Sequence, residues 1–528
     1  MAKSKVILTT TLSGIKSACL SLETLVTSNA RLRLDNPTDP SSWLDSELSL
    51  FDHLAALASS WGVMDPKLLT VLVQLGAWDT IVGLCTHANL DVSIAAIEVV
   101  GEMIGDSTSV VEGGEYALVY EFVKNGGLEI FGRNLERVEG EDNEGGTEGE
   151  RCVEVTLQVI MSVMEVARGT EGEQGAVGRV EGTVWDTCKG WVKRRLENEG
   201  KGKVAMWREN QRAAAEVMAS VLTYKGLSSS STDESGALKD IEVEEGDVEA
   251  VLVAFSRYMR KEPEPGDEVE YVENLADCLC CMAKLCASGF RAHEGTALCF
   301  RILAGRAHAG SGAMKAVGEY LRGRKEAEEI VDNGGIKTLG RIFMGRGKPK
   351  MVTGLKEGKK LKREKRNWER GIEEKVVEVV YLLTRHLVGG EEREYKERML
   401  AKFLESECER CERVVEIMIR EDARMREAEI KYLRSEEADE DEELGLDVEA
   451  RAVAVKMEKG GTSYFQSAAI AGWICQNSKA GFSAIKEALS VRGSGMTLIK
   501  EGVKEWKDMM EEGEEKRRLE VILADIGA

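Results

Sequence analysis

The feature that most constrains this chain is a recurring pair of apolar segments, one short and one long. LGAWDTIVGL at 75–84, NGGLEIFGRNL at 125–135 and DNGGIKTLGRIF at 332–343 each set a turn or small residue ahead of a short apolar segment. At helical spacing each segment makes about three turns. After a polar break comes a longer one: VSIAAIEVVGEMI at 92–104, VEVTLQVIMSVMEVA at 153–167 and KVVEVVYLLTRHL at 375–387. A weaker copy runs from GDVEAVLVAFSRYM at 246–259 to VENLADCLCCMAKLC at 272–286, and 297–304 with 313–322 forms a further pair. Glycine ends a helix by taking the left-handed conformation, and Asp91 has the side chain to cap the long helix that follows. A helix pair that is apolar on both sides cannot bury itself alone and must stack on its neighbours.

This pattern predicts an all-α chain, an armadillo/HEAT-like α-solenoid with a period of about 40–47 residues. With only 6 prolines and 31% charged residues, composition also favours helices. At 528 residues the chain is too long for one ordinary core, as an array would be. Residues 1–70 read as an N-terminal helical entry and 71–434 as repeats, with polar insertions near 139–150, 228–236, 261–268 and 345–366. Within the repeats, 388–434 is a highly charged helical stretch. SEEADEDEE gives an acidic hinge at 435–445, and 446–528 returns to apolar helical composition as a C-terminal helical cap.

The formal net charge is −22, from 93 acidic and 71 basic residues. A surface so acidic repels phosphate backbones, so direct nucleic-acid binding is not expected and basic protein segments are the natural partners. No run approaches 18 apolar residues, so no membrane partner is expected. The short, threonine-rich start MAKSKVILTTTLSGIK does not make a signal peptide. Twelve cysteines without recurrent spacing suit reduced intracellular thiols.

Enzyme signatures fail in detail. GLKEGKK at 354–360 is one residue short of a phosphate-binding loop and lacks the following Ser or Thr. Cys278, Cys280, Cys281 and Cys286 read as small buried groups on a helix, and Cys408 and Cys411 lack a redox context. No cofactor or metal is therefore expected. Trp473 and Asn477 make one Trp-x-x-x-Asn, which reads as a core aromatic because a peptide groove needs several such pairs.

Several segments resemble, in order, those of the beta-catenin-like protein 1 family. They are LDNPTDPSSWLDSELSLFDHL at 34–54, LVQLGAWDTIVGLCTHANLDVSIAAIEVVGEM at 72–103, FVKNGGLEIFGRNLERV at 122–138, VENLADCLCCM at 272–282, IVDNGGIKTLGRIFM at 330–344 and VRGSGMTLIKEGVKEW at 491–506. The resemblance covers nearly the whole chain. LDVSIAAIEVV and the late RGS turn are its most specific parts. It implies a nuclear, non-enzymatic scaffold of the spliceosome-associated NineTeen complex, gripping basic localisation-signal segments of splicing factors. The alternative is an importin-alpha-like nuclear transport adapter, and a homodimer is compatible with either. Members of the family usually carry a charged tail ahead of the repeats. This chain starts almost at the fold, so either it starts late or nuclear entry is encoded elsewhere.

Import adapters hold an extended peptide with a Trp and, four residues on, an Asn on the third helix of each repeat. By alignment those positions here are Glu98 and Glu102, then Met161 and Glu165, with Asp277 on a later repeat. Residues four apart share a helix face, so the carboxylates would form an acidic ladder for Lys and Arg side chains. The same residues also suit a plain solvated stripe. The run 347–366 carries nine Lys or Arg residues. Within it Lys359, Lys360, Lys362, Arg363, Lys365 and Arg366 resemble a nuclear-localisation signal, or else belong to a solvated linker.

Overall fold

The computed structural model describes residues 11–61, 69–105, 119, 122–123, 126–141, 147–167, 182–193, 204–228, 243–354, 358–387, 393–435, 438 and 447–527. Among them there are helices and turns and no strand. The chain divides into two compact units, Met1–Ala254 with Glu264–Cys286, and Phe255–Pro263 with Ala287–Ala528.

The first unit holds α1 (Leu12–Asp35), α2 (Leu44–Trp61), α3 (Leu69–Gln74), α4 (Ala77–Leu84), α5 (Leu90–Gly105), α6 (Gly127–Glu141), α7 (Thr147–Ala167), α8 (Gly182–Lys193) and α9 (Val204–Ser228). It also takes in most of α10 (Glu245–Ser256) and α11 (Asp267–Leu285). The long helices α2, α5, α7, α9 and α11 pack each on the next, forming one layer. The shorter α4, α6 and α8 form a second layer, each against its own long partner and its neighbours in the row. This is the armadillo-type arrangement the pattern predicts. Trp78, Phe122 and Phe131 carry the core between repeats, with ring centroids 6.3 and 5.0 Å apart in edge contacts.

The second unit holds α12 (Ala287–Ala292), α13 (Gly295–Gly305), α14 (Gly310–Tyr320), α15 (Arg324–Asp332), α16 (Gly335–Phe343), α17 (Lys359–His386) and α18 (Arg393–Tyr432). It continues through α19 (Val448–Lys456), a π-helical turn Met457–Gly461, α20 (Thr462–Asn477), α21 (Lys479–Val491), α22 (Thr497–Asp508) and α23 (Glu514–Gly527). The long α14, α17 and α20 stack in sequence, and α20 also packs against α18, α21, α22 and α23. Phe343, Phe403 and Trp473 form its aromatic spine through edge contacts at 6.4 Å.

Three repeats share one junction device. Gly76, Gly126 and Gly334 take positive φ of 72°, 77° and 75° just ahead of α4, α6 and α16. After two of them comes a second glycine with no room for a side chain. A Cβ on Gly127 would sit 2.3 Å from the Phe122 ring, and one on Gly335 would sit 2.6 Å from the Ile330 carbonyl and from Phe300. The first glycine sets the turn and the second lets the helix start against the preceding core.

Several expectations are corrected. Helix α5 is capped by Asn89, not Asp91: Asn89 Oδ1 accepts from the amides of Asp91 and Val92 at 2.9 and 3.4 Å. Asp91 lies within the first turn instead. The insertion near 345–366 is a loop only in its first part, because α17 already begins at Lys359. Its start lacks an apolar stripe, yet Lys, Arg, Glu and Leu are good helix formers. The insertion near 261–268 ends where α11 starts, at Asp267. Residues 139–141 and 147–150 of another lie in α6 and α7, and 142–146 fall outside the described residues. So do 229–236 and most of the acidic hinge. The charged stretch 388–434 is broken at 405–408, where Ser406, Glu407 and Cys408 have positive φ. A repeat that the pattern misses is formed by α8 and α9.

Candidate functional site

The site begins with how α5 is buried. Val92, Ile94, Ala95, Ala96, Ile97, Val99, Val100, Met103 and Ile104 are all core residues, so the helix is enclosed on nearly every side. Burial of this extent supplies about 1.5–3 kcal/mol for each large apolar side chain. Its open edge is a narrow line through Asp91, Glu98 and Glu102. Gly101, beside that line, lets α7 come close, since a Cβ there would lie 2.9 Å from Val159.

Glu98 is 35% exposed, and its Oε1 accepts from Arg151 Nη2 of α7 at 2.5 Å. Glu102 is exposed, and its carboxylate makes no hydrogen bond or ion pair to another described residue. Met161 is not on the open line; it is 9% exposed and belongs to the core. Glu165 lies in α7, and its side chain is outside the described residues. On α9, Arg212 Nη1 bridges Glu270 of α11 at 3.2 Å and Glu216 of its own helix at 3.6 Å. Asp277 is exposed on α11.

These groups do not converge on one pocket. From α5 to α11 there are three helix spacings of about 8–10 Å each, so a row of side chains running across this layer would be about 25–30 Å long. An extended chain covers that in about eight residues. The layer is not purely acidic, because Arg151 pairs with Glu98 across α7 and α5, and Arg212 with Glu216 and Glu270 across α9 and α11. Pairs between neighbouring helices are set by packing, which no single helix shows in its own pattern.

A second feature escaped the sequence reading altogether. The THANLD stretch at 86–91, which precedes the apolar run of α5, is the centre of a half-buried polar network. Arg33 donates through Nε to Glu47 Oε1 at 2.8 Å, and Asn89 Nδ2 donates to Glu47 Oε2 at 2.7 Å. His87 Nε2 meets Asn29 Oδ1 at 3.2 Å while its Nδ1 accepts from the Asn89 amide at 3.1 Å. Arg137 of α6 donates to the carbonyls of Thr86 and His87 at 3.1 and 2.6 Å. Burial, reinforced by the nearby Arg33, holds His87 below the usual imidazole range. The network joins α1, α2, the α4–α5 turn and α6, so it fixes the helix carrying Glu98 and Glu102.

The basic run occupies the first turns of α17. Lys359, Lys360, Lys362, Arg363, Lys365 and Arg366 are all exposed, and none pairs with another described residue. Trp473 is buried, and Asn477 Nδ2 donates to the Trp473 carbonyl at 2.7 Å, so this pair serves the core and the end of α20. Burial pushes the Cys411 thiol up to about 12 and the Cys278 thiol well above its ordinary value. Neither is a ready nucleophile. No group of three or more metal-ligating side chains occurs among the described residues. No helix among them is long and apolar enough to cross a membrane.

A family model described as catenin-beta-like, Arm-motif containing nuclear matches residues 2–504. Beta-catenin-like protein 1 of Rattus norvegicus is 25% identical over 516 residues, covering 95% of this chain and 82% of its own length. A Schizosaccharomyces pombe homologue of that protein is 23% identical over 337 residues, 62% of this chain and 54% of its own. Among solved structures, an engineered protein aligns with 97% of this chain and 99% of its own at 15% identity and a TM-score of 0.45. That structural likeness is too loose to carry weight.

Proposed function

From the premise that this chain belongs to the catenin-beta-like, Arm-motif containing nuclear family, we propose that it is a non-enzymatic scaffold of the spliceosome-associated NineTeen complex. In this reading it works in the nucleus during pre-mRNA splicing and binds basic, localisation-signal-like segments of splicing factors along the open line of α5, α7, α9 and α11. The observation that carries the binding reading is the placement of Glu98, Glu102 and Asp277 in one layer of stacked helices. A row of this length suits an extended chain rather than a small molecule. The net charge of −22 adds long-range attraction for basic segments. The splicing assignment rests on the family resemblance.

Affinity purification of the tagged chain with mass spectrometry tests the assignment. Recovery of splicing factors is expected; pore components without them would favour the transport adapter. A fluorescent lysine- and arginine-rich peptide tests the row. Its binding should weaken as salt rises, and the double variant Glu98→Lys, Glu102→Lys should abolish most of it. If both changes are silent, the row is only a solvated stripe.

The exposed cations at the start of α17 suit a nuclear-localisation signal. Neutralising Lys359, Lys360, Lys362 and Arg363 should lower nuclear accumulation of the tagged chain. Unchanged accumulation would remove the signal reading.

A further inference from the structure

The second unit contains a cleft of about 550 Å³ between α14, α17 and the π-helical turn that leads into α20. Its size falls among ligand-binding cavities, commonly about 300–1,000 Å³. Met314, Trp368 and Met457 give it apolar, adaptable walls. Trp368 is fixed from behind, stacked on His308 at 4.8 Å and donating through Nε1 to the Pro349 carbonyl at 3.3 Å.

Two observations indicate an occupant. Gln466 lines the cleft, is only 6% exposed, and its Oε1 has no hydrogen-bond partner among the described residues. A buried acceptor left unpaired is costly, and a donor arriving with a ligand would satisfy it. Gly371 also lines the cleft, in the interior of α17, where glycine is a poor helix former. A Cβ built there meets nothing within 4 Å, so no contact inside the protein requires the glycine. Its missing side chain is open floor.

The cleft itself carries mixed charge, and its carboxylates are already paired: Glu374 with Arg370 and Arg424, Glu378 with Lys375 and Glu458 with Lys459. The direction comes from cations beyond its edge, toward the start of α17. Lys360 and Arg363 lie on the same face of α17 as Asn367, Gly371 and Glu378, by helical spacing. Both are exposed and unpaired to other described residues, and the first turn of α17 has no acidic residue. Cations at a helix N-terminus add to the positive end of the macrodipole, so an acidic group there would be stabilised.

We propose that this cleft is a peptide-binding site distinct from the carboxylate row. It takes an extended segment that seats one side chain of methionine or leucine size against Met314, Trp368 and Met457. A main-chain N–H of that segment donates to Gln466, and its acidic residues run toward Lys360 and Arg363. The occupant has the opposite charge preference to the basic segments assigned to the first unit, and it does not depend on that assignment.

The test is selection from a displayed library of random twelve-residue peptides on the purified full chain, followed by anisotropy titration of the enriched sequences. Enriched peptides should combine an apolar anchor with acidic residues on one side. Gly371→Trp, whose Cβ meets nothing and whose ring fills the cleft, should weaken them by about tenfold or more. Gly371→Ala should bind like the native chain. Gln466→Leu should weaken binding without lowering thermal stability, and Lys360→Glu with Arg363→Glu should remove its salt dependence. Equal binding to native and Gly371→Trp chains would overturn the proposal, as would failure to enrich any peptide. Enrichment of basic peptides lost on Glu98→Lys, Glu102→Lys would also overturn it while leaving the carboxylate row intact.

Discussion

Arg151 of α7 donates to Glu98 of α5 at 2.5 Å, so the first carboxylate of the proposed row is already neutralised by the protein itself. If the row binds basic segments, an incoming lysine or arginine must displace that guanidinium before it reaches Glu98. Exposed ion pairs contribute about 0–1 kcal/mol. Arg151→Ala should therefore leave stability within about 1 kcal/mol and tighten a basic peptide by up to about fivefold. Titration of a labelled peptide against both chains decides it. Weaker binding by the variant would mean that Arg151 belongs to the peptide site instead of masking it.

Glu373 of α17 holds a different kind of pair. It is nearly buried and receives Arg413 at 2.6 Å, Arg420 at 3.2 Å and Lys348 at 3.7 Å. Without the carboxylate, Arg413 and Arg420 keep Glu416 and Glu421 at 2.7 Å each, and Lys348 keeps the Glu369 carbonyl, but the cations lose the group that joins them. Glu373→Ala should cost about 1–3 kcal/mol, more than an exposed charge. The loss should appear as faster hydrogen exchange in α17 and α18 and a lower denaturation midpoint. A change below about 1 kcal/mol would show that the cations relax into solvent instead.

How far the sequence reveals this molecule depends on what kind of order each part carries. The repeats at 75–104, 125–167 and 332–387 are legible because Gly76, Gly126 and Gly334 mark their turns and an apolar stripe follows. The α8–α9 repeat has no such glycine just ahead of its first helix, where Glu181 stands, so its sequence does not announce it. The first half of α17 is hidden for a related reason: its residues favour helix but present no apolar face. Glu98 and Glu102 were legible as an i, i+4 pair, whereas Arg151 lies 53 residues away and joins them only through packing. The cleft at Gln466 depends on three helices distant in the chain, and no local pattern announces it.

The paired glycines at repeat junctions allow separate tests of conformation and space. Gly334 has φ of 75° with nothing within 4 Å of a built Cβ, so Gly334→Ala should cost about 1–2 kcal/mol from the left-handed backbone alone. Gly335 has the opposite problem, since its Cβ would press on the Ile330 carbonyl and Phe300 at 2.6 Å. Gly335→Ala should cost about 1–3 kcal/mol through overpacking, and Gly335→Val more than Gly335→Ala. Gly334→Asn should recover part of the loss seen in Gly334→Ala, because asparagine tolerates the left-handed region. Thermal denaturation of the four variants would separate the two causes; identical losses at 334 for Ala and Asn would remove the conformational one.

His87 supplies the pH dependence of the network at the start of α5. Its Nδ1 accepts from the Asn89 amide, so the neutral ring carries its proton on Nε2, toward Asn29 Oδ1. Asn29 Nδ2 is engaged with Ser46 Oγ at 2.8 Å, which keeps Oδ1 facing the ring. A second proton on Nδ1 would set donor against donor at Asn89, and burial with Arg33 nearby opposes the added charge. The folded pKa thus lies below the unfolded value of about 6.5, and the unfolded chain binds more protons as pH falls. The contribution is fully present above about pH 6.5 and is lost as pH drops below it, at no more than about 1.4 kcal/mol per pH unit. Burial also lowers His53 and His386, so a whole-chain melting curve mixes several groups. Hydrogen exchange at residues 85–92 reads His87 more directly. Protection there should fall between pH 7.5 and 5.5, after correction for intrinsic exchange, and fall less in His87→Gln. An equal fall in both chains would place the proton elsewhere.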